Sequence, residues 1–208
     1  MPAQGEPMVT LLLRHGQTLM SVQKRYAGRS DVPLTDTGVR QAAAAAMRLA
    51  SAGIGAIVTS PLQRAVQTAE EVAAVTGVPV VTDDGFRETD FGAWEGLTFA
   101  EVRERWPSEV KTWLADPAVA PPGGESFVEV IERVTAALHR VLAGRERQTV
   151  LIVSHVTPIK TLVAAALLAP PAALYRMHLD VAALCEIDWY ADGPAVLRSF
   201  NDTGHLTG

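Results

Sequence analysis

The stretch VTLLLRHGQT, residues 9–18, decides how the chain is read. Its first five residues form the kind of run expected of a strand covered on both faces. Arg14, His15 and Gly16 follow at once, so a cation, an imidazole and a bare backbone arrive together at the end of a buried strand. The pattern recurs further along. AIVTS (56–60) is a second buried strand, and the PLQR after it carries Arg64 into the first turn of a helix. TVLIVSH (149–155) is a third, ending in His155. VPVVT (78–82) reads as an edge strand because Pro79 cannot donate to a ladder. AALCEIDWY and AVLRSF supply the last two strands.

Helical patterns lie between these runs. Thr35 is an N-cap type before a helix that runs to Gly53, and Pro61 opens one that runs to Gly77. Short helices are expected near 98–105 and 108–115, a loop at PPGG (121–124), a long amphipathic helix from Ser126 to Ala143, and another from Pro158 to Leu168. Strands alternating with helices predict an α/β fold, a three-layer α/β/α sandwich with a mostly parallel central sheet. Residues 9–208 read as one domain, and residues 1–8 as a flexible tail or linker.

Composition narrows the function classes. The chain has 208 residues, 48% of them hydrophobic and 20% charged, which suits a packed core. A formal net charge of -5 and a pI of about 5.5 argue against a general nucleic-acid binder. The single cysteine, Cys185, lies in a strand pattern and reads as a buried structural thiol. MPAQGEPM lacks the features of a secretory signal, and TLVAAALLA (161–169) falls short of the ~20 residues that span a bilayer. A cytoplasmic protein is expected.

In parallel sheets, ligands bind at the carboxyl ends of the strands. If the three strong strands are neighbours, Arg14, His15, Arg64 and His155 meet at one edge. Arginine forks match phosphate oxygens and stay charged, while neutral imidazole is a nucleophile to which phosphoryl groups transfer. Gly16 is expected to let backbone amides approach a bound oxyanion. FRETDFGAWEG (86–96) offers Glu88, Asp90 and Glu95 as proton donors for the leaving oxygen. Arg25 and Arg29 either steer an anion or belong to a solvated loop. His139 reads as a surface residue, and His178 and His205 as structural.

LLLRHGQT, SPLQRAVQTA, RETDFGAWEG, PPGGESF and IVSHVTPIK, in that order, resemble the histidine phosphatase superfamily, the phosphoglycerate-mutase-like phosphatases. Within it, RYAGRSDVPLTDTGVRQA with FGAWEG is most similar to α-ribazole phosphatase. It is also similar to the acid-phosphatase domain that some actinobacterial proteins carry behind a ribonuclease H domain. The resemblance implies His15 as nucleophile and phosphohistidine carrier. Arg14, Arg64 and His155 would grip the phosphoryl oxygens, with His155 in its charged form, and Glu88 would be the general acid and base. Gln17, Thr18, Ser21, Gly28 and Val156 would line the phosphate or substrate. No metal and no cofactor is implied. Two positions depart from the family pattern: Ser21 stands where Asn is usual, and Val156 where glycine follows the second histidine.

The function expected is a metal-independent phosphomonoester hydrolase, an acid phosphatase with α-ribazole 5'-phosphate as one candidate substrate. The alternatives are a phosphoglycerate-type mutase and a non-catalytic phospho-ligand or protein-binding module. The expected partners are a small phosphorylated metabolite and inorganic phosphate as product. Nucleic acid and membrane are not expected, and a homodimer is left open.

Overall fold

A computed structural model describes residues 6–145 and 147–207. Six strands form one sheet: β1 (Met8–Arg14), β2 (Ile54–Thr59), β3 (Val80–Thr82), β4 (Thr149–Ser154), β5 (Leu184–Trp189) and β6 (Ala195–Asp202). Their order is β3-β2-β4-β1-β5-β6. The first four run parallel, and β5 runs antiparallel to both its neighbours. The two strands that end in histidine are therefore adjacent at the centre of the sheet. Most of the tail expected at 1–8 lies outside the described residues, and Met8 already belongs to β1.

Helices cover both faces, as the alternation predicts. They are α1 (Leu19–Val22), α2 (Asp36–Leu49), α3 (Gln63–Thr76), α4 (Phe99–Arg105), α5 (Pro107–Ala115), α6 (Phe127–Leu142) and α7 (Val156–Ala166). The period-2 direction of strand side chains splits one apolar run between two cores. Leu12, Val150 and Ile152 pack with Val134 and Leu138 of α6 and Leu162 of α7. Leu11, Leu13, Leu151 and Val153 pack with Ala45 and Ala46 of α2 and Ala65 and Ala69 of α3. Leu12 is fully buried, so Leu12→Ala costs ~2–5 kcal/mol. That packing holds the C-terminal edge of the sheet rigid.

Caps set the helix starts. Thr35 accepts the Gly38 N–H at 3.1 Å, and Ser126 forms a reciprocal capping box with Glu129. Two helix boundaries differ from expectation. α2 ends at Leu49, and the residues on to Gly53 form a turn. α7 begins at Val156 rather than Pro158, because a proline in the first turn gives up only an N–H that has no helical partner there. The four-residue α1 was not expected. A third apolar cluster, built on Phe91, Trp94, Trp113, Phe127 and Leu174, includes Ala164 of α7 and no strand residue. Cys185 is buried, and burial pushes its thiol up to about 11. Among the described residues, no helix is long and apolar enough to cross a membrane.

Candidate active site

The sheet register brings the strand ends together. Arg14 lies opposite Ser154, and Thr59 opposite Val153, so His15, Ser60 and His155 emerge side by side. The two imidazoles stand with ring centroids 5.1 Å apart. His15 Nδ1 donates to its neighbour's carbonyl, Gly16 O, at 2.7 Å. A protonated Nδ1 leaves Nε2 with the lone pair, and Nε2 has no protein partner among the described residues. His15 lines a pocket of about 210 Å³ together with Arg14, Thr18, Ser21, Arg64 and Glu88.

His155 is held differently. Arg64 Nε donates to its Nδ1 at 3.3 Å, and its Nε2 lies 2.7 Å from Ser60 Oγ. A ring that accepts at Nδ1 is neutral and carries its proton on Nε2. Burial lowers its pKa well below the usual histidine value, and Arg64, His15, Arg14 and Arg133 push the same way. The charged form expected for His155 is therefore not the form this site favours. His155 is fully buried and does not line the pocket; Ser60, which the sequence reading did not single out, is its anchor. Burial also lowers the His15 pKa well below its usual value, with Arg64 and then Arg14 adding to it.

The arginines are unequal: Arg64 is buried and Arg14 half-buried. Arg64 is 1% exposed, and all three guanidinium nitrogens are engaged. Besides Nε to His155, Nη1 donates to Ser30 O at 2.7 Å, and Nη2 to Ala27 O at 2.7 Å and Gly28 O at 3.1 Å. Arg14 Nη1 donates to Leu179 O at 2.6 Å, while its buried Nε has no partner among the described residues. Burial pushes the Arg14 guanidinium down to about 10, against the pull of Glu88 and Asp180.

Glu88 is the one carboxyl among the described residues lining this pocket. It sits on the N-terminus of α7, whose N-cap, His155, offers no side-chain cap. Its Oε2 accepts Val156 N–H at 3.0 Å, and Oε1 accepts Thr157 N–H at 3.2 Å and Thr89 N–H at 2.8 Å. The backbone around it is clamped by Arg133, which donates to the carbonyls of Gly85, Arg87 and Glu88. Of the other acids weighed, Asp90 pairs with Arg29 at 3.2 Å. Glu95 takes the N–H groups of Gly28 and Arg29 and the hydroxyl of Ser30, so it braces the loop that wraps Arg64.

Several expected contacts are spent elsewhere. Gln17 turns away from the pocket and accepts the Thr35 hydroxyl at 2.9 Å, fastening β1's exit to the start of α2. The Gly16 amide goes to Thr68 Oγ1 at 3.1 Å, and a Cβ at Gly16 would stand 2.4 Å from Gly38 O. Its bareness serves helix packing, not an oxyanion. Gly28 does not line the pocket either; a Cβ there would lie 2.1 Å from Thr89 O, so its role is close approach. Ser21 lines the pocket, but its Oγ accepts Thr18 N–H at 2.9 Å and donates to Thr18 O at 2.8 Å. Thr18 accepts Ser21 N–H and keeps its hydroxyl proton for the pocket. Val156 sits at the first helical position, where a β-branched residue carries no left-handed strain, and its amide serves Glu88. Arg25 pairs with Glu101 at 2.8 Å and also lines the pocket.

The description Histidine phosphatase superfamily (branch 1) matches residues 10–203, nearly the whole chain. The chain belongs to that superfamily. It is 53% identical over 205 residues to a bifunctional protein of Mycobacterium tuberculosis, covering 98% of this chain and 56% of that protein. It thus spans little more than half the length of that relative. It is 38% identical over 204 residues to a Proteus mirabilis protein named as a phosphoglycerate mutase, with 94% of each covered. Among solved structures, a mycobacterial glucosyl-3-phosphoglycerate phosphatase complexed with VO3 superposes with a TM-score of 0.86 at 32% identity, covering 94% of this chain and 100% of that one.

For a member of this superfamily, the arrangement combines an imidazole whose lone pair is free, two guanidinium groups, and a carboxyl seated on a helix end. Two lowered histidine pKa values keep both rings neutral into mildly acidic solution. The positive charge in the pocket therefore comes from Arg14 and Arg64, and the lowered His15 pKa favours the ring that keeps its Nε2 lone pair.

Proposed function

We propose that the chain is a metal-independent phosphomonoester hydrolase that works through phosphohistidine. The observation that carries this reading is His15: its Nδ1 is tied to Gly16 O, and its unpartnered Nε2 lines a pocket with Arg14, Arg64 and Glu88. Nε2 attacks phosphorus as the ester P–O bond breaks, and the leaving oxygen takes a proton from Glu88. The Glu88 carboxylate then takes a proton from water, whose oxygen attacks phosphorus as the N–P bond breaks. Phosphate leaves, and His15 and Glu88 return to their starting states. Arg14 and Thr18 supply donors to the phosphoryl oxygens, and Arg64 supplies charge from behind. His155 keeps Arg64 in place, so it is a positioning residue in this reading.

An imidazole that stays neutral below pH 6.5 favours an acid phosphatase, since protonation would otherwise silence the nucleophile first. The relative that is a glucosyl-3-phosphoglycerate phosphatase supports hydrolysis, while the relative named as a mutase keeps phosphoryl return to a sugar acid as the rival. Phosphorylated metabolites, α-ribazole 5'-phosphate among them, assayed for phosphate release and for isomerisation of 3-phosphoglycerate, separate these. Hydrolysis should be inhibited by vanadate and unaffected by EDTA, with an acid-labile phosphoryl group trapped on His15. Isomerisation without phosphate release, or loss of activity on chelation, would overturn the proposal.

A further inference from the structure

The phosphoryl pocket does not end at Glu88. Tyr26, Phe91, Val156 and Thr157 line it and also line a second cleft of about 320 Å³, so the two spaces share a wall. The far side of that cleft is built from Trp113, Phe127 and Tyr175, which touch one another with ring centroids 5.2 to 5.7 Å apart. Such a wall offers flat apolar surface and edge-to-face sites for a ring.

One cation enters this aromatic setting. Lys160 lies on α7 four residues after Val156, on the same helix face and about 6 Å along the axis. Its Nζ has one partner, the carbonyl of Leu174 at 3.3 Å, and no ion pair among the described residues. Burial lowers its pKa, with Glu88 opposing and Arg14 adding to the fall, which marks an ammonium short of negative charge. The Tyr175 hydroxyl proton is already given to Trp113 O at 2.8 Å. The cleft thus holds an ammonium with a single neutral partner and no carboxylate, an arrangement that calls for an anion.

We propose that this cleft receives the alcohol portion of the substrate and that Lys160 selects phosphomonoesters whose alcohol is a ring-bearing body with a carboxylate about one helical turn from the ester oxygen. This rests on the hydrolase reading above. The phosphate enters the Arg14 and His15 pocket, the ring lies against Phe91 and Trp113, and the carboxylate meets the Lys160 ammonium. Chemistry at phosphorus is unchanged, so Lys160 acts on selection.

The test uses two matched probes, phenyl phosphate and 4-carboxyphenyl phosphate, with the ratio of their kcat/KM values as the readout. Taking the ratio within each enzyme cancels any general loss from folding. The wild-type chain should prefer the carboxylated probe. Lys160→Met, which keeps the bulk and removes the charge, should cut that ratio by about tenfold to a hundredfold, the range for a charge-assisted hydrogen bond. Lys160→Arg should restore most of it. An unchanged ratio in Lys160→Met, or no preference in the wild type, overturns the subsite and leaves the hydrolase reading standing. Failure of the wild type to release phosphate from either probe overturns both.

Discussion

The ends of β1 and β4 make a natural comparison. Each delivers a histidine to the same edge of the sheet, from neighbouring parallel strands, with both rings buried. Yet His15 uses one nitrogen on the backbone and keeps the other for the pocket, while His155 has both nitrogens occupied, by Arg64 and Ser60. The difference lies in what each strand meets after it ends. β1 opens into a loop beside the pocket, and β4 turns at once into α7 with His155 as its N-cap, the ring held between Arg64 and Ser60. Equal positions in a fold thus give unequal surroundings: one ring keeps a nitrogen for the pocket, and the other braces Arg64.

The largest effect expected is on the ring proposed to react. His15→Ala should lower kcat for phosphate release by ~10⁴-fold or more, since the covalent route disappears. His155→Gln should cost about 10²-fold, because it loosens Arg64 without removing the nucleophile. A trapped phosphoenzyme should vanish in the first variant and persist in the second. Equal losses, or a trap lost in both, would break the proposed division of labour.

A third prediction concerns pH. Both rings have pKa values held below 6.5 in the folded chain, whereas the unfolded chain takes up protons near 6.5. Stability is therefore flat above that value and falls as pH drops below it, by up to ~1.4 kcal/mol per pH unit for each histidine. His205, lowered in the same direction, adds to the slope. Melting temperatures from pH 7.5 to 5 should show the fall, and His155→Gln should shallow it. A slope unaffected by that variant would mean that the ring is not held neutral by the fold. The smallest effect is at the anchor: Ser60→Ala should slow turnover about tenfold with KM little changed. A rise in KM alone would place Ser60 in substrate binding instead.

The parts of this site that sequence revealed are those carried by strong local patterns. An apolar run must be a buried strand, so its end is placed, and His15, Arg64 and His155 followed from that. Thr35 and Ser126 were legible for the same reason, since a cap needs only its own helix. The contacts that sequence did not reveal were loop contacts. Gln17, Gly16, Ser21 and Gly28 are occupied by α2, by Thr18 or by the 88–95 segment, elements distant in sequence or reached through a turn that no periodicity encodes. Glu88 could not be told from Glu95 by spacing, because only the folded loop shows that one faces the pocket and the other braces residues 28–30. Ser60 was within reach: the register that aligns β2 with β4 puts the residue after Thr59 beside His155.

Glu88 has a further consequence as the seat of α7's first turn. In the proposed mechanism each cycle changes its charge, so the helix end would gain and lose its counter-charge at the rhythm of turnover. The amides of Val156 and Thr157 become reporters of that rhythm. Comparing their exchange with deuterated water in the free and vanadate-bound protein would show how firmly Glu88 seats the helix end in each state.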